Sequence, residues 1–96
     1  MPAAHRLHDI CTGHSCYPSR PNVQGSHNVF TNNLAQHRLG DAWNGHCCPP
    51  SCHGGVLAMG SPNVFTNNLQ TGRIGDPVSC GSICATGSPN VFINDI

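Results

Sequence analysis

The chain has 96 residues, enough for one domain but not for two hydrophobic cores. Four basic side chains balance four acidic ones without any run of like charge, which argues against nucleic acid or an anionic membrane as the main partner. Eleven glycines and eight prolines indicate either disorder or a small fold held together by something other than apolar burial. No segment approaches the roughly 20 apolar residues of a membrane span.

Three repeat units follow one another, and each begins with the pattern Arg-aliphatic-x-Asp. The pattern occurs at 6–9, 38–41 and 73–76. In each unit a loop with cysteine or histidine comes next, and a string that begins with Gly-Ser closes the unit. The units account for the chain from Arg6 to Ile96. We therefore expect residues 1–96 to form one pseudo-threefold domain without an extension domain.

The closing string occurs as three near copies, at 25–34, 60–69 and 87–96. Its β-branched and aromatic residues lie between turn residues, a pattern that predicts strands. The predicted strands are Asn28–Leu34, Asn63–Leu69 and Asn90–Ile96. No amphipathic helical period occurs, so the fold class is predicted to be all-β, built of short β-hairpins.

Hairpin turns are predicted at Asn32-Asn33 and Asn67-Asn68, because asparagine tolerates a positive φ. After these turns the chain can pair back on itself. The second strands of the hairpins would then be Arg38–Leu39 and Arg73–Ile74.

Alternation along the strands places apolar groups on both faces, because Val64 and Thr66 point one way while Phe65 points the other. A protein this small cannot bury both faces internally, so we expect a partner to cover one of them, unless loops fold over it. Three valines and their neighbours are expected to belong to the core and to a partner-binding platform: Val29, Phe30, Val64, Phe65, Val91 and Phe92. The sequence does not decide which face meets the partner.

Possible metal ligands are concentrated in the loops. His53 and Cys80 each lie seven residues before the glycine that opens a repeated string, and His14 and His46 each lie five residues after the aspartate of their unit. Each unit can thus bring one ligand to the symmetry axis, and the long second loop can bring two. Three imidazoles and one thiolate form a closed tetrahedral set for zinc, whose binding would stabilise loops this poor in apolar residues. We predict one structural Zn²⁺ held by His14, His46, His53 and Cys80.

Disulfides are the alternative to a metal, since the chain has seven cysteines. The odd count and an N-terminus without an apolar signal segment favour synthesis in a reducing cytoplasm, where cysteine mixed with histidine favours metal binding. In this alternative, Cys16 or Cys52 forms a disulfide with the Cys47-Cys48 pair after oxidation outside the cell. Roles for the cysteines outside the predicted metal site stay open: Cys11, Cys16, Cys47, Cys48, Cys52 and Cys84.

The other histidines are weaker ligand candidates. His37 is the best substitute, although its equivalence to His5 in the arginine repeat makes both of them better candidates for polar groups at strand ends. His8 and His27 are expected to be solvated loop residues.

The residues that carry these repeats resemble the PAAR-repeat family. The N-terminal Met1-Pro-Ala-Ala-His-Arg6 is similar to the Pro-Ala-Ala-Arg signature with a histidine inserted. Further similar segments are Arg38-Leu-Gly-Asp41, Arg73-Ile-Gly-Asp76, Cys52-His-Gly-Gly55 and the string Gly-Ser-Pro-Asn-Val-Phe. The resemblance spans nearly the whole chain. The later units depart from the signature, because the residues before Arg38 and Arg73 lack the Pro-Ala pair.

This resemblance implies a function. PAAR proteins are small cones on the blunt end of the trimeric β-helical, VgrG-type spike of bacterial type VI secretion systems, and related proteins tip the central spike of contractile phage tails. The family's tip zinc is held by three histidines and one cysteine, which matches the ligand set above. Membership implies a membrane-piercing tip, one per homotrimeric spike, that can help to load effectors and touches the target membrane transiently. It also implies synthesis in the bacterial cytoplasm without a signal peptide and export with the spike to the extracellular space or a target cell.

Other functions are less well supported. A zinc hydrolase would need an open ligand position and a general base such as Asp41 or Asp76, whereas the predicted ligand set is closed, so we predict that the chain is not an enzyme. A disulfide-bonded secreted scaffold conflicts with the odd number of cysteines. A phage-tail tip shares fold and mechanics with a secretion-system tip, and the sequence does not separate them.

Overall fold

Three antiparallel hairpins make up the regular structure of the computed structural model, which describes residues 1–93. The strands are β1 (Phe30–Thr31), β2 (Leu34–Ala35), β3 (Ala42–Cys48), β4 (Ser51–Val56), β5 (Phe65–Thr66) and β6 (Leu69–Gln70), and consecutive strands pair. Residues 1–93 contain no helix, so the predicted all-β fold of short hairpins is confirmed. Over the same residues, nothing forms an apolar helix of membrane-spanning length.

The structure confirms the predicted asparagine turns. Asn32 and Asn33 have φ angles of 54° and 65°, and Asn67 and Asn68 have 53° and 65°. Two consecutive residues with positive φ are what a two-residue hairpin turn requires, and asparagine adopts this conformation at low cost.

The strands themselves are shorter than predicted, because these turns interrupt the segments Asn28–Leu34 and Asn63–Leu69. The second strands are β2 and β6, which follow the turns directly, rather than Arg38–Leu39 and Arg73–Ile74. In the third copy Phe92 forms a single bridge to Ala3, and the end of the predicted strand Asn90–Ile96 lies outside the described residues.

The Arg-aliphatic-x-Asp patterns form tight turns closed by ion pairs. Arg38 donates from Nε to Asp41 Oδ2 and from Nη2 to Asp41 Oδ1, both at 2.9 Å. Arg6 with Asp9 and Arg73 with Asp76 form equivalent pairs. The third position of the turn has a positive φ, 85° at Gly40 and 92° at Gly75, which explains the glycine in two of the copies. Asp41 and Asp76, the candidate general bases, are thus engaged with arginines.

The three units interlock around the pseudo-threefold axis through isolated β-bridges. The bridges join Arg6 to Gln36, Arg38 to Thr71 and Arg73 to Ala4, so the last unit returns to the first. Between the bridges runs a closed ring of backbone hydrogen bonds. His5 N donates to Gly72 O at 3.0 Å, Gly72 N to His37 O at 2.9 Å, and His37 N to His5 O at 3.2 Å. The symmetry that the repeats predict is therefore present in the backbone.

The Gln36 side chain lies on this axis. Its Nε2 is 2.8 Å from His5 O, 3.0 Å from His37 O and 3.3 Å from Gly72 O, so one amide group serves all three carbonyls of the ring. Its Oε1 accepts a hydrogen bond from Thr31 Oγ1 at 2.7 Å. Only one side chain can occupy an axis, which explains why the other units differ at the equivalent positions.

A small core lies against the ring. The side chains of His5, His37 and Trp43 pack with ring centroids 5.2–5.4 Å apart. Beyond them Trp43 joins an apolar cluster with Cys11, Leu57, Val78 and Cys84. Both of these cysteines are buried and have free thiols; Cys84 acts here as a small apolar side chain, whereas Cys11 also accepts a hydrogen bond from Arg20.

The platform residues lie outside the core, and the expectation that they contribute to it is wrong. Phe30, Phe65 and Phe92 are 60%, 57% and 53% exposed. Their strand neighbours Thr31, Thr66 and Ile93 are buried instead. Two of these inward positions make buried hydrogen bonds, Thr31 to Gln36 and Thr66 to Thr71. The face that stays open is therefore the phenylalanine face, while the valines are half-buried (Val64, Val91) or exposed (Val29).

The pH dependence of stability tests the buried histidine pair. Burial, followed by the neighbouring His37, lowers the pKa of His5 from 6.5 to about 4. Between these pH values the unfolded chain binds a proton at this position and the folded chain does not. The free energy of unfolding should therefore fall as the pH falls through this window, by about 3 kcal/mol in total.

Urea denaturation near pH 7 and near pH 4.5 measures this effect. We expect His5→Gln to lose part of the pH dependence of the wild type, because burial also lowers the pKa of His37, which keeps its own contribution, and we expect the control His8→Gln, at an exposed histidine, to retain all of it. The same pH dependence in all three proteins would contradict the assignment.

Candidate metal centre

The four predicted ligands meet beside the β3–β4 hairpin. Their ligand atoms, one from each of His14, His46, His53 and Cys80, all lie within 4.8 Å of one another. His53 Nε2 is 2.7 Å from His46 Nε2 and 3.0 Å from His14 Nε2, and Cys80 Sγ is 3.9 Å from His46 Nε2. A group of this kind can hold a metal ion. Residues 14, 46, 53 and 80 are far apart in sequence, so the fold creates the cluster.

A β-bulge in β3 aims His46 into the cluster. Trp43 pairs with Gly55 and His46 with His53, so two residues of β3 lie opposite one residue of β4. In a regular strand, side chains three residues apart point to opposite faces. The extra residue in the bulge turns both side chains inward, so Trp43 and His46 are each only 4% exposed. The bulge thus gives one strand both a core residue and a candidate ligand.

The first loop supplies His14 and covers the cluster with Tyr17. A tight turn closed by mutual backbone hydrogen bonds between His14 and Tyr17 places both rings on the same side. The Tyr17 ring lies 4.7 Å from His14, 5.0 Å from His46 and 4.3 Å from His53, measured between centroids. Sequence reasoning missed Tyr17, although its position three residues after His14 is compatible with such a turn.

The donor set and its surroundings fit a zinc ion. His46 Nδ1 donates to Pro18 O at 2.8 Å, which leaves the Nε2 lone pair directed at the cluster, the usual arrangement of a metal-binding histidine. Partial burial and the neighbouring imidazoles of His46 and His14 lower the pKa of His53, which favours the neutral, ligating form. Tetrahedral zinc accepts three imidazole nitrogens and one sulfur.

Cys80 lies in an environment suited to a thiolate. Burial alone would raise the pKa of its thiol, but hydrogen bonds from Ser82 and Arg20 outweigh burial and lower it. The thiolate is the form that binds metal. Arg20 is a second residue that sequence reasoning missed, because it lies outside the repeated Arg-aliphatic-x-Asp pattern.

Two disulfides flank the cluster, and the expectation of metal in place of disulfides is wrong in this respect. Cys16 is bonded to Cys48, and Cys47 to Cys52. The first joins the loop of His14 to the hairpin, and the second joins the two strands next to His46 and His53. Cys80 remains a free thiol, as a metal ligand must. The two disulfides therefore lie beside a cluster that could hold a metal ion, whereas the sequence offered the two kinds of staple as alternatives.

The structure places the remaining histidines away from the cluster. His37, the substitute ligand, is fully buried against His5 and Trp43, with Nδ1 donating to Gln24 O at 2.7 Å. His8 and His27 are exposed, as expected. The region between Trp43 and Val56, treated as a loop from its cysteine, glycine and proline content, forms the longest hairpin.

Removal of the disulfide between loop and hairpin should destabilise the protein. Cys16 and Cys48 are 32 residues apart, whereas Cys47 and Cys52 are 5 apart. Chain entropy predicts a loss of about 3–4 kcal/mol for a Cys16→Ser/Cys48→Ser protein and about 2 kcal/mol for a Cys47→Ser/Cys52→Ser protein. Thermal denaturation without reductant measures both. A smaller effect for the first pair than for the second would contradict this account.

Comparison with known proteins agrees with this architecture. The family model for the PAAR motif matches residues 12–85 and 49–96. No curated protein matches the chain. Proteins with this motif are structural spike-tip components of type VI secretion and related contractile systems. Since the matches cover most of the sequence, the chain belongs to the PAAR motif family.

Proposed function

We propose that this protein is the tip of a homotrimeric β-helical, VgrG-like spike of a type VI secretion system, with one tip bound per trimer. In this role it caps the open strand ends of the spike and forms the vertex that first meets the target membrane. One structural zinc ion, held by His14, His46, His53 and Cys80, would fasten the loops at the vertex.

The exposed phenylalanines carry this proposal. Phe30, Phe65 and Phe92 occupy equivalent positions in the three repeats, and each is more than half exposed. A homotrimer presents the same surface three times around its axis, so a single chain can engage all of it only if its own contacts repeat threefold. The open strand ends of such a trimer need covering, because unpaired edges promote aggregation.

The candidate metal centre supports the mechanical part of the role. Residues from all three units contribute to one cluster, and the two disulfides fasten the same region. When bound, a structural zinc adds its binding free energy to folding and limits the motion of the loops. The side chains of the cluster then have a fixed arrangement, which suits a part that transmits axial force.

The remaining parts of the proposal follow from the family context. The protein would be made in the bacterial cytoplasm without a signal peptide and exported with the spike, and effectors would be loaded on the tip. The central spike of a contractile phage tail is the alternative setting, since its tip needs the same symmetry and the same rigidity.

Charged substitutions on the phenylalanine face test the docking role. We expect Phe65→Asp to weaken binding to a purified VgrG-type trimer at least tenfold, because it places a carboxylate in an apolar contact. Met59→Asp is the matched control, since Met59 is 52% exposed and lies outside the platform. Titration calorimetry gives the affinity, and native mass spectrometry should show one tip per trimer. Equal weakening by both variants would count against the platform.

Substitution of the predicted ligands tests whether the protein binds zinc. His53→Ala and Cys80→Ala should each lower zinc content and the melting temperature together, by roughly 10 °C or more, since 1 kcal/mol corresponds to about 4–8 °C in a domain of this size. His27→Ala, at an exposed histidine, is the control and should change neither. Unchanged zinc content in both ligand variants, measured by elemental analysis, would refute the ligand assignment.

A further inference from the structure

Arg20 differs from the other arginines of the chain. Each of those forms an ion pair with the aspartate three residues later. Among residues 1–93, no carboxylate lies within ion-pair distance of Arg20, although only 4% of this residue is exposed. A buried cation without an anionic partner costs several kcal/mol, so the role of this guanidinium needs an explanation.

Sulfur atoms take the place of the carboxylate. Arg20 donates from Nη2 to Cys80 Sγ at 3.2 Å and from Nη1 to Cys11 Sγ at 3.0 Å. Its planar group lies 5.0 Å from the centroid of the Trp43 ring, which limits its rotation. One of the two sulfurs belongs to the candidate metal centre and the other to the core.

The same guanidinium also holds the bulge that positions His46. Arg20 Nε donates to Asn44 O at 2.8 Å, and Asn44 is one of the residues between the pairs at Trp43 and His46. Arg20 therefore contacts the ligand of the third unit directly and supports a ligand of the second unit through the backbone. The guanidinium thereby links these two parts of the centre.

We propose that Arg20 is the positioning residue of the metal centre, which holds the Cys80 sulfur of the loaded site by a hydrogen bond from Nη2 and the bulge before His46 by a hydrogen bond from Nε. The inference rests on the proposed zinc site. A loaded centre holds Cys80 as a thiolate whatever the state of the free thiol, and its three imidazole ligands are neutral. The loaded centre would carry the charge of the metal dication as well as that of the thiolate, so the guanidinium acts on it through the hydrogen bond from Nη2, which directs Sγ toward the imidazoles.

Substitution of Arg20 in the zinc-loaded full chain tests the proposal. We expect Arg20→Met to weaken zinc binding about 10–100-fold in competition with a chromophoric chelator, the usual effect of losing an outer partner of a ligand. Arg20→Lys keeps the positive charge but lacks the several N–H donors of the guanidinium, and it should recover part of the zinc affinity. Arg38→Met is the matched control, because it removes a guanidinium that pairs with Asp41 instead, and it should keep wild-type affinity.

Cobalt replacement gives a readout that a purely structural role would not change. We expect the sulfur-to-cobalt charge-transfer band of Arg20→Met to shift from its wild-type position, because the thiolate loses a hydrogen-bond donor. Cys11→Ala removes the other sulfur and should leave both band and affinity unchanged. If Arg20→Met fails to fold, Arg20→Lys and Cys11→Ala still supply the comparison of band and affinity.

Three results would overturn the proposal. Wild-type affinity and an unchanged band in the Arg20 variants would refute it while leaving the zinc centre in place. A loss of affinity in Cys11→Ala equal to that in Arg20→Met would mean that Arg20 acts through Cys11 rather than through Cys80. Failure of the wild-type chain to bind zinc or cobalt would refute the metal centre and this inference together.

Discussion

A closed ring of backbone hydrogen bonds among His5, His37 and Gly72 is the constraint on which the rest of this protein depends. Each residue of the ring directly precedes the arginine that begins a repeat unit, so the ring holds the starts of all three units together. In a closed ring the three carbonyl oxygens lie around the same axis. The Gln36 amide lies on this axis and donates hydrogen bonds to all three of them. The pseudo-threefold symmetry is therefore a property of hydrogen bonding as well as of the sequence repeat.

The threefold repetition does not extend to the candidate metal centre. A tetrahedral ion needs four ligands, but the fold offers three units. In the second unit the loop extends into the β3–β4 hairpin, which supplies two candidate ligands as a cross-strand pair, His46 and His53. The bulge in β3 then lets the same strand reach the core with Trp43. The backbone ring thus keeps the threefold repetition, and the candidate metal centre departs from it.

Repeats and turn chemistry made much of the fold predictable from sequence. The asparagine turns follow from a local preference for positive φ, and the four clustered side chains follow from counting along equivalent units. The β3–β4 hairpin escaped prediction because its cysteines, glycines and prolines have low strand propensity, and its pairing depends on disulfides and on contacts with other units. Arg20 escaped because it has no repeat equivalent, and its buried position comes from packing on Trp43 and from two sulfurs that lie 9 and 60 residues away.

Covalent cross-links and charge interactions explain how so small an apolar core suffices to stabilise the fold. Below about 80 residues an apolar core rarely stabilises a fold by more than a few kcal/mol, and this chain is only slightly longer. The disulfides join the first loop to the hairpin and the hairpin strands to each other, whereas Cys80, in the third unit, has no such bond. Its Sγ lies 3.9 Å from His46 Nε2 and accepts a hydrogen bond from Arg20. The disulfides therefore fasten the first two units, whereas a metal ion bound at the cluster would join all three.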